Sequence, residues 1–479
     1  MYPRAEAPRT AVVVGAGMVG LSTAWHLQER GVEVTVLDRS GIGAGASWGN
    51  AGWLTPGMAM PLSDPSLWSY GAKALLDPSA PLHIPARLDP ELFSFLLRFA
   101  AHATPRAWAR TMSALTPIDR MALEAFDELT AAGVQASTHK GPFIIGFEKD
   151  AQSAPFIQEI HHVEKAGQSV PLNRLQDAQL KVPQLSGNVE SVFAMEGQRF
   201  IEPGPFVQAL AEAVQSRGGR ILTGAEVQSL RHGPHGIAVE TYAQEPVTAD
   251  VVVLATGAWL PRLARPLGVK TLVQAGRGYS FSVATDQPAE FPIYFPARRV
   301  ACTPYQGRLR IAGTMEFRGP DEPLQTGRID AILASVRPLF TNMDLDDLED
   351  IWVGPRPVTP DGLPLVGATR APGVYVAGGH GMWGIVLGPA TGKLLAEQIT
   401  TGAVPEEIRP FDQRIYPLGY LDLYPRGYYR GGTPIPQRST HAYRTHLRRG
   451  PGTGQLLHRL PAPGRGDRRR RPPRRRPLP

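Results

Sequence analysis

The segment Gly15-Ala16-Gly17-Met18-Val19-Gly20 puts three glycines at the spacing that lets a main chain touch a phosphate. Gly15 permits a tight turn, Gly17 lets the backbone approach a pyrophosphate, and Gly20 lets a helix pack closely on a strand. Asp38 stands 18 residues after Gly20, where a carboxylate can accept hydrogen bonds from a ribose diol. Glycines alone make a weak signal. They gain meaning only if a strand precedes them, a helix follows, and the acid closes a second strand.

The flanking sequence supplies those elements. Thr10 to Val14 is a brief β-branched run, expected as a buried strand. Val19, Leu21, Ala24 and Leu27 recur at helical spacing, predicting a helix over 18–30 that Gly31 ends. Val32 to Leu37 then reads as a second strand. The result is a β-α-β unit whose helix N-terminus offers free N–H groups and a positive dipole end to a diphosphate. Further buried strands are expected at Phe143–Phe147, Arg220–Leu222, Val251–Ala255 and Val374–Ala377, with helices over 204–216, 327–340 and 389–400. Residues 41–65 read as loop, and 270–316 as antiparallel sheet.

Composition narrows the class. The chain has 479 residues, 42% hydrophobic and 19% charged, which excludes a mostly disordered protein. One cysteine, Cys302, rules out an intramolecular disulfide and cysteine-based zinc or iron–sulfur sites. The net charge of +7 misleads, because residues 441–479 hold 12 arginines and a single acid, leaving −4 for residues 1–440. The basic Pro/Arg/Gly-rich tail over 425–479 is expected to be disordered, so the charge gives no reason to expect a specific nucleic-acid partner. No run reaches the roughly 18 apolar residues that a bilayer span needs.

Four segments carry a resemblance. Arg39 to Gly52 reads RSGIGAGASWGNAG, Val251 to Trp259 reads VVVLATGAW, Trp352 to Gly367 reads WVGPRPVTPDGLPLVG, and Gly378 to Gly392 reads GGHGMWGIVLGPATG. In this order and spacing the chain resembles the FAD-dependent oxidoreductases of the D-amino-acid oxidase superfamily over roughly residues 8–415. Within it, bacterial D-amino-acid dehydrogenases (small-subunit type) are most alike, with glycine and sarcosine oxidases close behind.

The resemblance implies roles for particular residues. Met18, Val19, Arg39, Ser47, Asn50, Ala51 and Gly52 would lie along the FAD, the last four near the flavin. Val227 would offer backbone to the adenine, and Thr256 and Gly257 would border the adenosine half. Gly381, Met382, Trp383 and Gly384 would run under the flavin pyrimidine. Arg356, in GPRP, would clamp a substrate carboxylate, since a guanidinium fork binds carboxylate bidentately and keeps its charge. Tyr279 would line the substrate pocket; a half-buried strand tyrosine is the alternative, as a structural ion pair is for Arg356. With no histidine or cysteine in the 41–52 loop, non-covalent FAD is expected.

The implied fold is α/β: a two-domain FAD-binding, Rossmann-like fold of the glutathione-reductase type with an interleaved α+β substrate domain. FAD-binding parts are expected at 1–84, 190–261 and 350–415, and substrate-domain parts at 85–189 and 262–349. The implied activity is oxidative deamination of a D-amino acid to a 2-oxo acid and ammonia. Glycine or sarcosine oxidase and D-hydroxyproline dehydrogenase are the alternatives on the same scaffold. The partners are a small amino acid and an electron acceptor, oxygen or quinone. The expected location is cytoplasmic, with peripheral contact at the inner membrane face left open. A nicotinamide-dependent dehydrogenase and a basic-tail binding protein are the readings from other classes.

Overall fold

A computed structural model describes residues 7–65, 77, 80–242 and 244–412. The basic tail lies outside them. Thr10–Val14 pairs in parallel with Glu33–Leu37 on one side and Val251–Leu254 on the other. Around these three the order is Arg220–Leu222, Glu33–Leu37, Thr10–Val14, Val251–Leu254, Val374–Gly378, Leu365–Ala368. Only the edge strand Leu365–Ala368 runs antiparallel to its neighbour.

Both faces of this sheet are covered, which is why its strands read as unbroken apolar runs. Ala11 and Val13 point into a core shared with the helices Met18–Glu29, Pro203–Ser216 and Gly388–Thr401. Val12 and Val14 point the other way, onto the three-stranded sheet Val227–Gly233, Gly236–Thr241 and Val247–Ala249. Gly392 lets the first and last of the helices meet at backbone distance: a Cβ there would lie 2.5 Å from the Ser22 carbonyl carbon.

His26 is buried on this helical layer. Burial first, then Lys393, Arg30 and Arg217, holds its pKa down at about 3. The folded state therefore binds fewer protons than the unfolded chain below pH 6.5. Its contribution is complete above that value and is lost as pH falls toward the folded pKa, by up to about 1.4 kcal/mol per pH unit. Melting temperatures measured from pH 7 to 4.5 are expected to fall less steeply in His26→Gln than in the parent. Parallel slopes would contradict this.

The second sheet is larger and largely antiparallel. Its path runs Met343–Val358, Gln274–Thr285, Arg308–Phe317, Val300–Tyr305, Ile293–Phe295, Phe143–Phe147, Ser191–Met195, Leu172–Arg174. Period-two alternation gives Gln274–Thr285 two different faces. Tyr279, Phe281 and Val283 enter a core with Ile329, Ile332 and Val336 of the helix Thr326–Val336. The opposite face carries Gly276, Gly278 and Ser280, and Ser280 Oγ donates to the Gly49 carbonyl at 2.5 Å. That face therefore looks toward the loop following the first β-α-β unit.

Two strands sit apart from where the sequence puts them. Ser191–Met195, expected with the cofactor-binding parts, joins the larger sheet. Residues 350–358, also expected there, continue a sixteen-residue strand of that sheet. Among the described residues, no helix is long and apolar enough to cross a membrane.

Candidate active site

The parallel strands end on one cavity of about 1410 Å³, counting its open mouth. Val14, Leu37, Ala255 and Gly378 line it from the carboxyl ends of their strands or just beyond, the usual ligand position in an open α/β sheet. The cavity continues to the larger sheet, where Trp352, Pro355, Arg356 and Pro357 form its far wall.

The glycine turn is shaped by close approaches. Gly15 has φ +116, and a Cβ on it would collide with the Ala255 carbonyl. A Cβ on Gly20 would strike the Gly15 carbonyl, so Gly20 seats the helix on the turn and does not itself reach the cavity wall. Gly17, Met18 and Val19 do line it. Met18 N–H donates to Ser47 Oγ at 3.1 Å, tying the helix start to the 41–52 loop.

Asp38 lies on the cavity wall and already works as a backbone acceptor. Its Oδ2 takes the Ala16 N–H at 2.9 Å, and its Oδ1 takes those of Ser40 and Gly41 at 2.8 and 3.0 Å. Beside it Arg39 lies over the Trp259 ring at 4.0 Å and pairs with Asp321 at 2.7 Å. Val227, Thr256 and Gly257 complete this end, and the buried Thr256 Oγ1 has no hydrogen-bond partner among the described residues.

At the opposite end Ser47 and Asn50 line the cavity. The Asn50 side chain shapes its own loop, accepting from Gly52 N–H at 2.8 Å and donating to the Ala46 carbonyl at 3.2 Å. Ala51 and Gly52 stand off the wall. Ala51 accepts from Thr303 Oγ1 at 2.8 Å, anchoring the loop to the larger sheet, and Gly52 packs against the Ile201 carbonyl. Gly381, Met382 and Gly384 line the cavity. Trp383 instead donates its indole N–H to the Met60 carbonyl at 2.7 Å. His380 is buried on the wall, 3.0 Å from Thr391 Oγ1, and burial pushes its pKa to about 4. It is neutral at physiological pH.

Arg356 reaches the cavity from the strand Met343–Val358. Its Nη1 donates to the Thr314 carbonyl at 3.2 Å. No carboxylate among the described residues pairs with it, and burial pushes its pKa down to about 10. The guanidinium is still charged at neutral pH. A half-buried, uncompensated cation beside a cavity is costly unless an anion joins it.

Tyr279 requires a correction. It is fully buried in the core beneath the larger sheet, and its hydroxyl donates to the Glu316 carboxylate. Its neighbour Gly278 occupies the face turned toward Arg356: a Cβ on Gly278 would fall on the guanidinium. Alternation along the strand places Tyr279 on the other side. Sequence reasoning also gave Trp352, Gly278 and Gly354 no role. The available signal was glycine inside strands, which marks a bulge or a close approach. Cys302 lies buried in Val300–Tyr305, away from the cavity wall.

A cavity crossing from a glycine turn at a helix N-terminus to a guanidinium that no carboxylate among the described residues pairs with fits an extended dinucleotide with a redox ring, and a substrate anion beyond it. A family model described as FAD dependent oxidoreductase (DAO) matches residues 10–398. A D-amino acid dehydrogenase from Methylobacterium nodulans is 30% identical over 404 residues, covering 82% of this chain and 96% of that protein. Its counterpart from Methylobacterium radiotolerans is 30% identical over 406 residues, with the same coverages. Among solved structures, glycine oxidase from Geobacillus kaustophilus superposes with TM-score 0.62 at 23% identity, covering 85% of this chain and 98% of that one. The FAD-bound L-alpha-glycerophosphate oxidase from Mycoplasma pneumoniae gives TM-score 0.63 at 15% identity, covering 82% and 94%. These structural likenesses bear on the fold alone.

Proposed function

The chain belongs to the FAD-dependent oxidoreductases of the D-amino-acid oxidase type, and from that premise we propose that it oxidises the Cα–N bond of a small D-amino acid, giving a 2-oxo acid and ammonia. The observation that carries this is Arg356, a cation on the cavity wall with no carboxylate partner among the described residues. It suits a substrate that brings its own carboxylate. The names of the curated relatives support the D-configuration.

FAD, when bound, supplies the two-electron acceptor for the Cα–H hydride, and the imine left behind hydrolyses. The protein's contribution is placement. Gly15, Gly17 and the helix start would hold the pyrophosphate, with Asp38 near the adenosine ribose. Ser47, Asn50, Gly381, Met382 and Gly384 would border the flavin. Arg356 would fix the carboxylate, so that the Cα–H faces inward. We assign no catalytic base, since a substrate bound as the free amine needs none. The parallel sheet is taken as the centre of the cofactor domain and the larger sheet as the centre of the substrate domain.

The test is a substrate panel on the purified yellow protein: D- and L-amino acids, glycine and sarcosine, each with oxygen and with a dye standing in for quinone. Turnover of small D-amino acids is expected. Turnover confined to glycine and sarcosine with peroxide release would select the oxidase reading instead. Activity with no amino acid at all would end both.

A further inference from the structure

Three residues on one strand, 352, 354 and 356, share a face because side chains alternate. Gly354 stands directly opposite Gly278 on the neighbouring strand. Cross-strand partners lie about 4.5–5.5 Å apart, so the two glycines form a bare floor. Both halves are covered. The Arg356 guanidinium lies where a Gly278 Cβ would be, and the Trp352 ring lies where a Gly354 Cβ would be. The indole and the guanidinium therefore rest side by side on this pair.

The indole is also held from the other direction. A Cβ on Gly49 would fall within the same ring system, at Cδ2 and Cγ. Gly49 belongs to the loop that carries Ser47 and Asn50 on the cavity wall, and Ser280 Oγ fastens that loop by its bond to the Gly49 carbonyl. Trp352 is thus wedged between the loop and the sheet floor, and it lines the cavity next to Arg356. A large aromatic fixed on both sides has little freedom to swing away from an incoming ligand.

We propose that Trp352 is the specificity-determining wall of the substrate site, limiting the substrate to α-amino acids with small side chains. This rests on Arg356 as the carboxylate anchor. A carboxylate seated on the guanidinium brings the substrate's Cα and side chain within reach of the adjacent indole. Glycine at 49, 278 and 354 is then part of the same device: each is the only residue that leaves room for the two rigid groups.

The experiment compares kcat/KM for alanine and for leucine or phenylalanine, using the enantiomer the parent enzyme turns over, in Trp352→Ala, Trp352→Phe and Gly354→Ala. Flavin content and melting temperature are recorded for each. In Trp352→Ala the bulky-to-small ratio is expected to rise by about tenfold or more, the size of effect a few methylenes of pocket space produce. Trp352→Phe should give a smaller rise in the same direction. Gly354→Ala should displace the ring and alter the ratio with flavin retained, and it keeps the test open if Trp352→Ala does not fold. An equal change for all side chains in the folded variants overturns the proposal. Arg356→Ala is the control: it should weaken every carboxylate substrate without changing the ratio. Should it leave KM untouched, the anchor reading fails, a result distinct from failure of the wall.

Discussion

Arg356→Ala is expected to lower kcat/KM for amino-acid substrates by about 10²–10³-fold, mostly through KM, with FAD still bound. Removing one partner of a buried, hydrogen-bonded charge pair costs about 3–5 kcal/mol. Tenfold corresponds to about 1.4 kcal/mol. Arg356 is held from below by the bare surface of Gly278 and from the side by the Thr314 carbonyl. It is thus preorganised, and the bound carboxylate loses little to side-chain ordering. Lysine at 356 would keep the charge and lose the planar fork, so Arg356→Lys should recover only part of the loss. An amine lacking the carboxylate should react equally poorly with parent and variant. Steady-state kinetics on the acid and its decarboxylated amine measure both expectations.

Gly17→Val is expected to give folded but colourless protein. Gly17 lines the cavity at the start of the helix Met18–Glu29, where main-chain N–H groups would face the proposed pyrophosphate. A Cβ there lies 3.1 Å from Ser47 Oγ, which itself accepts the Met18 N–H. One added methyl already crowds that hydroxyl; the two further methyls of valine would stand where a pyrophosphate must touch backbone. Overpacking of this kind costs about 1–3 kcal/mol, and loss of the phosphate contacts comes on top. The contrast is Gly20→Val, where the intruding atoms meet the Gly15 carbonyl. That variant should lose stability before it loses cofactor. The flavin-to-protein absorbance ratio and the melting temperature distinguish the two; a fully yellow Gly17→Val would contradict the assignment.

Much of the fold was legible because local and global signals agreed. Thr10–Val14 is β-branched and buried on both faces, and Gly31, at φ +77, ends the helix as glycines do. The glycine turn and Asp38 declared themselves by spacing. The larger sheet was harder to divide. Ser191–Met195 is as apolar as a parallel strand, and its partner is decided by tertiary pairing. The site showed the same limit. Arg356 stood out as a cation between prolines, whereas Tyr279 turned inward for a reason only register reveals. Trp352 lies inside a motif of the sequence, yet its part depends on Gly49 and Gly354, far apart in the chain, meeting around its ring.

In the proposed function, the guanidinium at 356 receives a carboxylate beside the flavin. The direct measurement is a difference-spectrum titration of the flavin-loaded protein with a carboxylate it cannot oxidise, such as benzoate, in the parent and in Arg356→Ala. A saturable change in the flavin bands is expected for the parent and none for the variant over the same range. Equal affinity in the two proteins would contradict it.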